Sequence, residues 1–151
     1  MNKDGTLQVA VIGCGDRGKA HAKDWGARED ARIVAVCDPL TDRREALANE
    51  TGGVPYEAWQ DAVLHEGVDV VSVCTPTALH ADVTCLAAEH GRHVFGEKPM
   101  ALTVEQGERM LATLRENGVV YMPCFQYRDR GFYGKCREIF PDGAFGGPVV
   151  F

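Results

Sequence analysis

The sequence predicts an α/β fold: a doubly wound, mainly parallel sheet with helices on both faces. Two observations point there. Short apolar runs alternate with longer amphipathic ones along the whole chain, and several of the runs are almost unbroken Val/Ile stretches, as in Ile33-Val34-Ala35-Val36. Strands buried on both faces of a helix-covered parallel sheet read as such continuous runs. Strand and helix alternating at this spacing produce right-handed βαβ units.

Taken in order, residues 7–12 read as a strand and 18–26 as a helix. A second strand over 31–37 precedes a helix over 42–50, and a brief extended piece at 54–56 leads into a helix near 58–65. Residues 68–74 form another strand, followed by a helix over 78–90. Then come a strand at 92–96, a helix over 104–117 and a strand over 119–125. A last helix is expected over 131–140, and 148–151 read as the opening of a further strand. Thr103 with Gln106 three residues on is a capping-box pattern, and Thr77 after Pro76 is placed to cap the helix that follows. The Gly/Pro-rich stretch 142–148 is the one boundary signal, dividing a domain over 1–146 from the first residues of another at 147–151.

The chain has 151 residues, enough for one ordinary domain. Its hydrophobic share of 45% and charged share of 25% are those of a globular domain, which excludes a disordered or low-complexity chain. Net charge is −6, and no basic patch stands out, so a nucleic-acid partner is not expected. The six cysteines are scattered without a C-x-x-C pair, so no metal site is expected. Four of them lie in apolar runs and read as reduced core residues. With no secretory leader and no apolar run long enough to span a bilayer, the expectation is a cytoplasmic protein with no membrane partner.

Gly13-Cys14-Gly15-Asp16-Arg17-Gly18 fits G-x-G-x-x-G between the first strand and its helix, the context in which the pattern binds dinucleotides. Gly13 allows a tight turn, Gly15 lets backbone approach a pyrophosphate, and Gly18 lets helix and strand pack closely. Asp38 ends the second strand twenty residues after Gly18, where an acid accepts from an adenosine ribose hydroxyl. A carboxylate there favours NAD by repelling a 2′-phosphate. Arg43 and Arg44 leave NADP open as an alternative cofactor. Asp16 fits less well, since its charge opposes a pyrophosphate unless it caps the helix or faces solvent.

Two more segments follow strands, where open α/β sheets place ligands. These are Cys74-Thr75-Pro76-Thr77-Ala78-Leu79-His80 and Gly96-Glu97-Lys98-Pro99-Met100-Ala101-Leu102-Thr103. Taken alone, Lys98 reads as a surface lysine and Pro99 as a turn residue. With the glycine loop, with G-x-H-V-x-x-E-K-P-x-A-L-T at 91–103, and with Arg128 and Gly146-Gly147-Pro148-Val149, the chain resembles the Gfo/Idh/MocA oxidoreductases.

The resemblance implies a Rossmann domain that binds NAD or NADP, followed in family members by a separate α/β substrate domain. It implies that Lys98 lies by the nicotinamide and the substrate hydroxyl and is catalytic, that Glu97 and Pro99 hold its turn, and that the Lys98–Pro99 bond is cis. Thr75, Pro76 and His80 would line the cofactor, and Arg128 would lie near it, alongside Gly13, Gly15, Asp16, Arg17, Gly18 and Asp38. Near a helix N-terminus, His80 is expected to be a neutral hydrogen-bonding residue. Thr77 stands where the family often has Asn, and Gly131 where it usually has proline. The chain stops at Phe151, which reads as the start of the second domain and so as a fragment of a longer enzyme.

The expected function is hydride transfer between a nicotinamide and a secondary alcohol of a sugar, inositol or related small molecule. The fragment itself would bind cofactor without turnover, and the full-length protein would be a homo-oligomer. A non-catalytic dinucleotide-sensing module is the alternative, and a Rossmann protein for S-adenosylmethionine a third reading. The E-K-P turn counts against both.

Overall fold

A computed structural model of the protein describes residues 5–126 and residue 131. The elements are β1 (Leu7–Ile12), α1 (Asp16–Gly26), β2 (Ala31–Cys37), α2 (Thr41–Thr51), β3 (Val54–Tyr56), α3 (Trp59–Val63) and β4 (Val70–Val73). A 3-10 turn (Thr77–Leu79) leads into α4 (His80–Glu89), β5 (His93–Gly96), α5 (Val104–Glu116) and β6 (Tyr121–Pro123). The strands form one sheet in the order β3-β2-β1-β4-β5-β6, each pair parallel. This is the doubly wound, Rossmann-type architecture expected from the sequence.

Side chains alternate across each strand, so β1 feeds two cores. Val9 and Val11 pack with Ala22, Ile33, Val36, Leu47 and Ala48 on the face covered by α1 and α2. Ala10 and Ile12 pack with Ala35, Ala62, Val63, Val73 and Val83 on the face covered by α3 and α4. A third cluster (Ala81, Cys85, Ala88, Met110, Leu114) joins α4 to α5. Each buried Val contributes roughly 1.5–3 kcal/mol relative to exposure. Because the chain runs outward from β1 to β3 and then returns to β4 on the other side of β1, the loops after β1 and β4 diverge and leave a crevice between them.

The elements differ from the expectation mainly at their ends. β4 is shorter than 68–74, although Asp69 N–H donates to Gln8 O and Cys74 N–H to Ile12 O, continuing the ladder at both ends. β6 closes at Pro123, although Cys124 N–H still donates to Gly96 O of β5 at 2.7 Å. The expected helix over 78–90 is divided. Leu79 N–H donates to Pro76 O in a tight 3-10 turn, and α4 begins only at His80. Thr77 therefore starts that turn and caps nothing with its side chain. The Thr103 cap is present: its hydroxyl accepts from Gln106 N–H at 3.2 Å, while Gln106 Oε1 accepts from Leu102 N–H at 3.0 Å, one residue before the usual position. Among the described residues no helix is long and apolar enough to cross a membrane. The helix expected over 131–140, the strand at 148–151, the domain boundary at 146–147 and Arg128 lie outside the described residues.

Candidate functional site

The three glycines of the loop after β1 are glycine for three different reasons. Gly13 has φ +97°, and a Cβ there would stand 2.6 Å from the Cys74 carbonyl oxygen at the end of β4. A Cβ on Gly18 would overlap the Gly13 carbonyl, so helix and strand could not approach as they do. Gly15 differs, because its φ of −71° suits any residue and a Cβ would meet only Arg43 Nη1 at 3.9 Å. Among the described residues no neighbour demands glycine at 15. The space before it is the crevice itself.

That crevice is a cleft of about 630 Å³. Gly13, Gly15, Asp16 and Arg17 form one wall, Asp38 with Arg43 a second, and Thr75 with Pro76 a third. Trp59 and Leu79 supply an apolar end. Among the described residues no side chain caps α1, so the amide end of an 11-residue helix opens on this space. Asp16 begins that helix and is exposed, an acid in the first turn where the helix dipole favours it.

Asp38 is buried at the mouth of the cleft and fixes two loops at once. Its Oδ2 accepts from Cys14 N–H at 2.9 Å and its Oδ1 from Leu40 N–H at 3.0 Å. Each carboxylate oxygen retains a further lone pair for a ligand hydroxyl. Cys14 and Cys37 stand beside it as inert thiols. Burial first, then the Asp38 charge, pushes both up to about 12.

The second group of residues lies behind the cleft rather than in its lining. His80 is buried, with Nδ1 2.8 Å from Pro99 O and Nε2 2.9 Å from Thr75 O. It therefore ties the loop after β4 to the loop after β5. A neutral ring donates to one of these carbonyls, a protonated ring to both. The hydrogen-bonding role expected for His80 is present, and its contacts are to backbone rather than to the cleft.

Glu97 is buried at the end of β5, and its Oε2 accepts from Lys98 N–H at 3.2 Å. The Lys98–Pro99 bond is cis. The Lys98 side chain is exposed, so the described residues do not enclose it. Gly18, buried in α1, also stands behind the lining. Arg17 connects the two groups, its Nε 3.7 Å from Glu97 Oε1.

Several residues of this second layer carry no motif signal. His21, one turn beyond Gly18, places Nε2 3.3 Å from Glu97 Oε1 and Nδ1 2.8 Å from Ser72 Oγ. Burial lowers its pKa, with Glu97 opposing that shift. Ser72 in Val-Val-Ser-Val was the available clue, since a polar residue in a doubly buried strand must have partners. His21, Glu97 and Cys124 also bring ligand-type atoms within 4.8 Å of one another. The Arg17 guanidinium beside Glu97 already supplies the positive charge in that group.

The fold and the cleft together define a dinucleotide-binding domain: a parallel sheet, a crevice at the strand reversal, an uncapped helix end and an acid closing the second strand. A sequence profile described as an oxidoreductase family with an NAD-binding Rossmann fold matches residues 7–125. The chain belongs to this family, the Gfo/Idh/MocA oxidoreductases.

It is 33% identical over 151 residues to scyllo-inositol 2-dehydrogenase (NAD(+)) of Bacillus subtilis (strain 168), a match covering 96% of this chain and 43% of the relative. It is 38% identical over 144 residues to D-glucoside 3-dehydrogenase of Escherichia coli (strain K12), covering 93% and 40%. The crystal structure of the WlbA dehydrogenase from Bordetella pertussis in complex with NADH and UDP-GlcNAcA superposes with a TM-score of 0.86 at 29% identity, covering 95% of this chain and 42% of that one. The chain thus spans about two-fifths of the length of these relatives.

Proposed function

We propose that the chain is the cofactor-binding part of an oxidoreductase that moves a hydride between a nicotinamide and a secondary alcohol of a sugar, polyol or related small molecule. One observation carries the reading. Among the described residues Gly15 has no packing reason to be glycine, and the space a side chain would take lies against an uncapped helix end. The amides of that end hold a pyrophosphate, whose negative charge the helix dipole favours. Asp38, already fixed by two backbone donors, orients a ribose through its remaining lone pairs. Thr75 Oγ1, buried without a partner among the described residues, stands in the wall of the same cleft.

The bound nicotinamide supplies hydride acceptance and donation. The chain's own task is to place it and to manage one proton. When a carbinol carbon loses hydride, its hydroxyl proton must leave as well, and Lys98 Nζ holds that proton or polarises the oxygen. Support for Lys98 is its place on a turn anchored from behind by Glu97 and His80. Arg128 is assigned to the same neighbourhood, and the domain boundary to 146–147. Substrate class rests on the inositol and glucoside dehydrogenases to which the chain is similar. The homo-oligomer and the cytoplasmic setting belong to the same reading, the free cysteines agreeing with a reducing compartment. We also propose that this chain alone binds NAD without turnover.

Calorimetric titration of NAD into wild type and Gly15→Val tests the reading. Binding to wild type with loss in the variant is the expected result, and equal heats from both would overturn it.

A further inference from the structure

Behind the Lys98 turn runs a row of hydrogen bonds whose two ends are fixed in direction, an indole that only donates and a carboxylate that only accepts. Trp25 Nε1 lies 3.3 Å from Ser72 Oγ, and an indole nitrogen only donates, so the hydroxyl accepts there. Ser72 Oγ is 2.8 Å from His21 Nδ1. Cys74 Sγ, a second donor, is 3.1 Å from the same nitrogen, and burial raises that thiol well above its ordinary range. Nδ1 thus faces a hydroxyl and a protonated thiol, both able to donate. Nε2 faces the Glu97 carboxylate, which only accepts.

A neutral ring protonated at Nδ1 alone would turn its Nε2 lone pair toward the Glu97 carboxylate and leave Nδ1 unable to accept from either donor. We infer that His21 is a positioning residue, held as its neutral Nε2–H tautomer by Trp25, Ser72 and Cys74, and that it fixes Glu97 so that the turn carrying Lys98 keeps its shape.

The consequence runs from α1 to the reacting side. His21 Nε2–H occupies Glu97 Oε1, which leaves Oε2 to accept the Lys98 backbone N–H. The charged groups around the ring are Glu97 and Asp24, which favour its protonation, and Arg17, which opposes it. Cys124 lies beside the same carboxylate, its thiol raised first by burial. Burial is the largest influence on His21 and lowers its pKa, which favours the neutral ring. Phe95 packs beside the buried ring, 4.9 Å away between ring centres. The functional weight of the device rests on the proposed role of Lys98, but its existence does not, so both can be tested separately.

Nitrogen-15 NMR of the His21 ring in the cofactor-free chain at neutral pH reads the tautomer directly. A pyridine-type Nδ1 with a protonated Nε2 is expected. Protonation at Nδ1, or at both nitrogens, would overturn the assignment. Hydrogen exchange at the Lys98 amide reads the second half. In His21→Leu, of similar bulk but without the donor, that amide should exchange about tenfold faster or more. In His21→Gln, whose amide reaches toward the position of Nε2, protection should return. Unchanged Lys98 exchange in a folded His21→Leu, or no recovery in His21→Gln, would show that His21 does not govern the turn. If His21→Leu does not fold, the wild-type tautomer and the His21→Gln exchange rate still decide.

Discussion

Arg17 and Glu97 face each other at 3.7 Å across the junction between the glycine loop and the lysine turn. One partner is half exposed and the other buried, so the pair links the cofactor cleft to the layer that anchors Lys98. Because the Arg17 end is open to solvent and screened there, the pair contributes little to stability, about 0–1 kcal/mol, and salt weakens it. Arg17→Met should therefore leave folding almost unchanged. It should lower NAD affinity by up to about fivefold at low salt, with the difference shrinking as salt is added. Titrations at two ionic strengths check this, and a salt-independent loss would argue against an electrostatic role.

The three loop glycines should separate by phenotype. Gly18→Ala forces a methyl group into the Gly13 carbonyl and should cost roughly 1–3 kcal/mol in denaturant melts. Gly13→Ala adds a positive-φ penalty to a clash with Cys74 and should be at least as costly. Gly15→Ala meets nothing closer than Arg43, so its melt should match wild type while NAD binding weakens.

Asp38 serves stability and selectivity together. Asp38→Ala leaves the Cys14 and Leu40 amides without their acceptor and should cost about 1–3 kcal/mol. The same change removes the charge that repels a 2′-phosphate, while Arg43 remains at the cleft. NADP should therefore gain relative to NAD when both are titrated into the variant. An unchanged preference would separate Asp38 from cofactor choice.

Acid should weaken the fold partly through His21. Burial holds its imidazole below the ordinary 6.5, so the unfolded chain takes up a proton where the folded chain does not. Stability from this group is complete above that value and is lost as pH falls toward the folded pKa. Melting temperature should drop between about pH 7.5 and 5.5, and His21→Gln should remove part of that slope. Parallel slopes would show that His21 does not titrate in the window.

Thr103→Ala should shorten or fray α5, because its hydroxyl satisfies the Gln106 amide. A loss of about 1 kcal/mol is expected in chemical denaturation.

Much of the architecture was legible because its signals are local. The runs at Leu7–Ile12, Ala31–Cys37 and Val54–Tyr56 end in the structure where the sequence ends them. In β1 and β2 the apolar run buried on both faces leaves no polar alternation to misread, while β3 is a short edge strand with Val54 exposed. The glycine spacing and the acid at 38 were likewise legible, since a phosphate cradle needs bare backbone at set intervals. The 3-10 turn before His80 was not. Whether a helix starts at residue 78 or 80 depends on where the loop must hand His80 to Thr75 and Pro99. His21 and Ser72 escaped notice for a related reason, as they are 51 positions apart and meet only when α1 lies across β4.

From the amino-acid order alone came the alternation of elements, the parallel sheet, the cradle and the family resemblance, all encoded in near neighbours and short spacings. Tertiary structure decided which glycine answers to a ligand and which to packing, and it gave Asp38 two loops to hold. It also set a buried histidine behind the lysine turn. These depend on atoms far apart in the chain and ångströms apart in space, where sequence spacing carries no information and only the folded backbone specifies the distance.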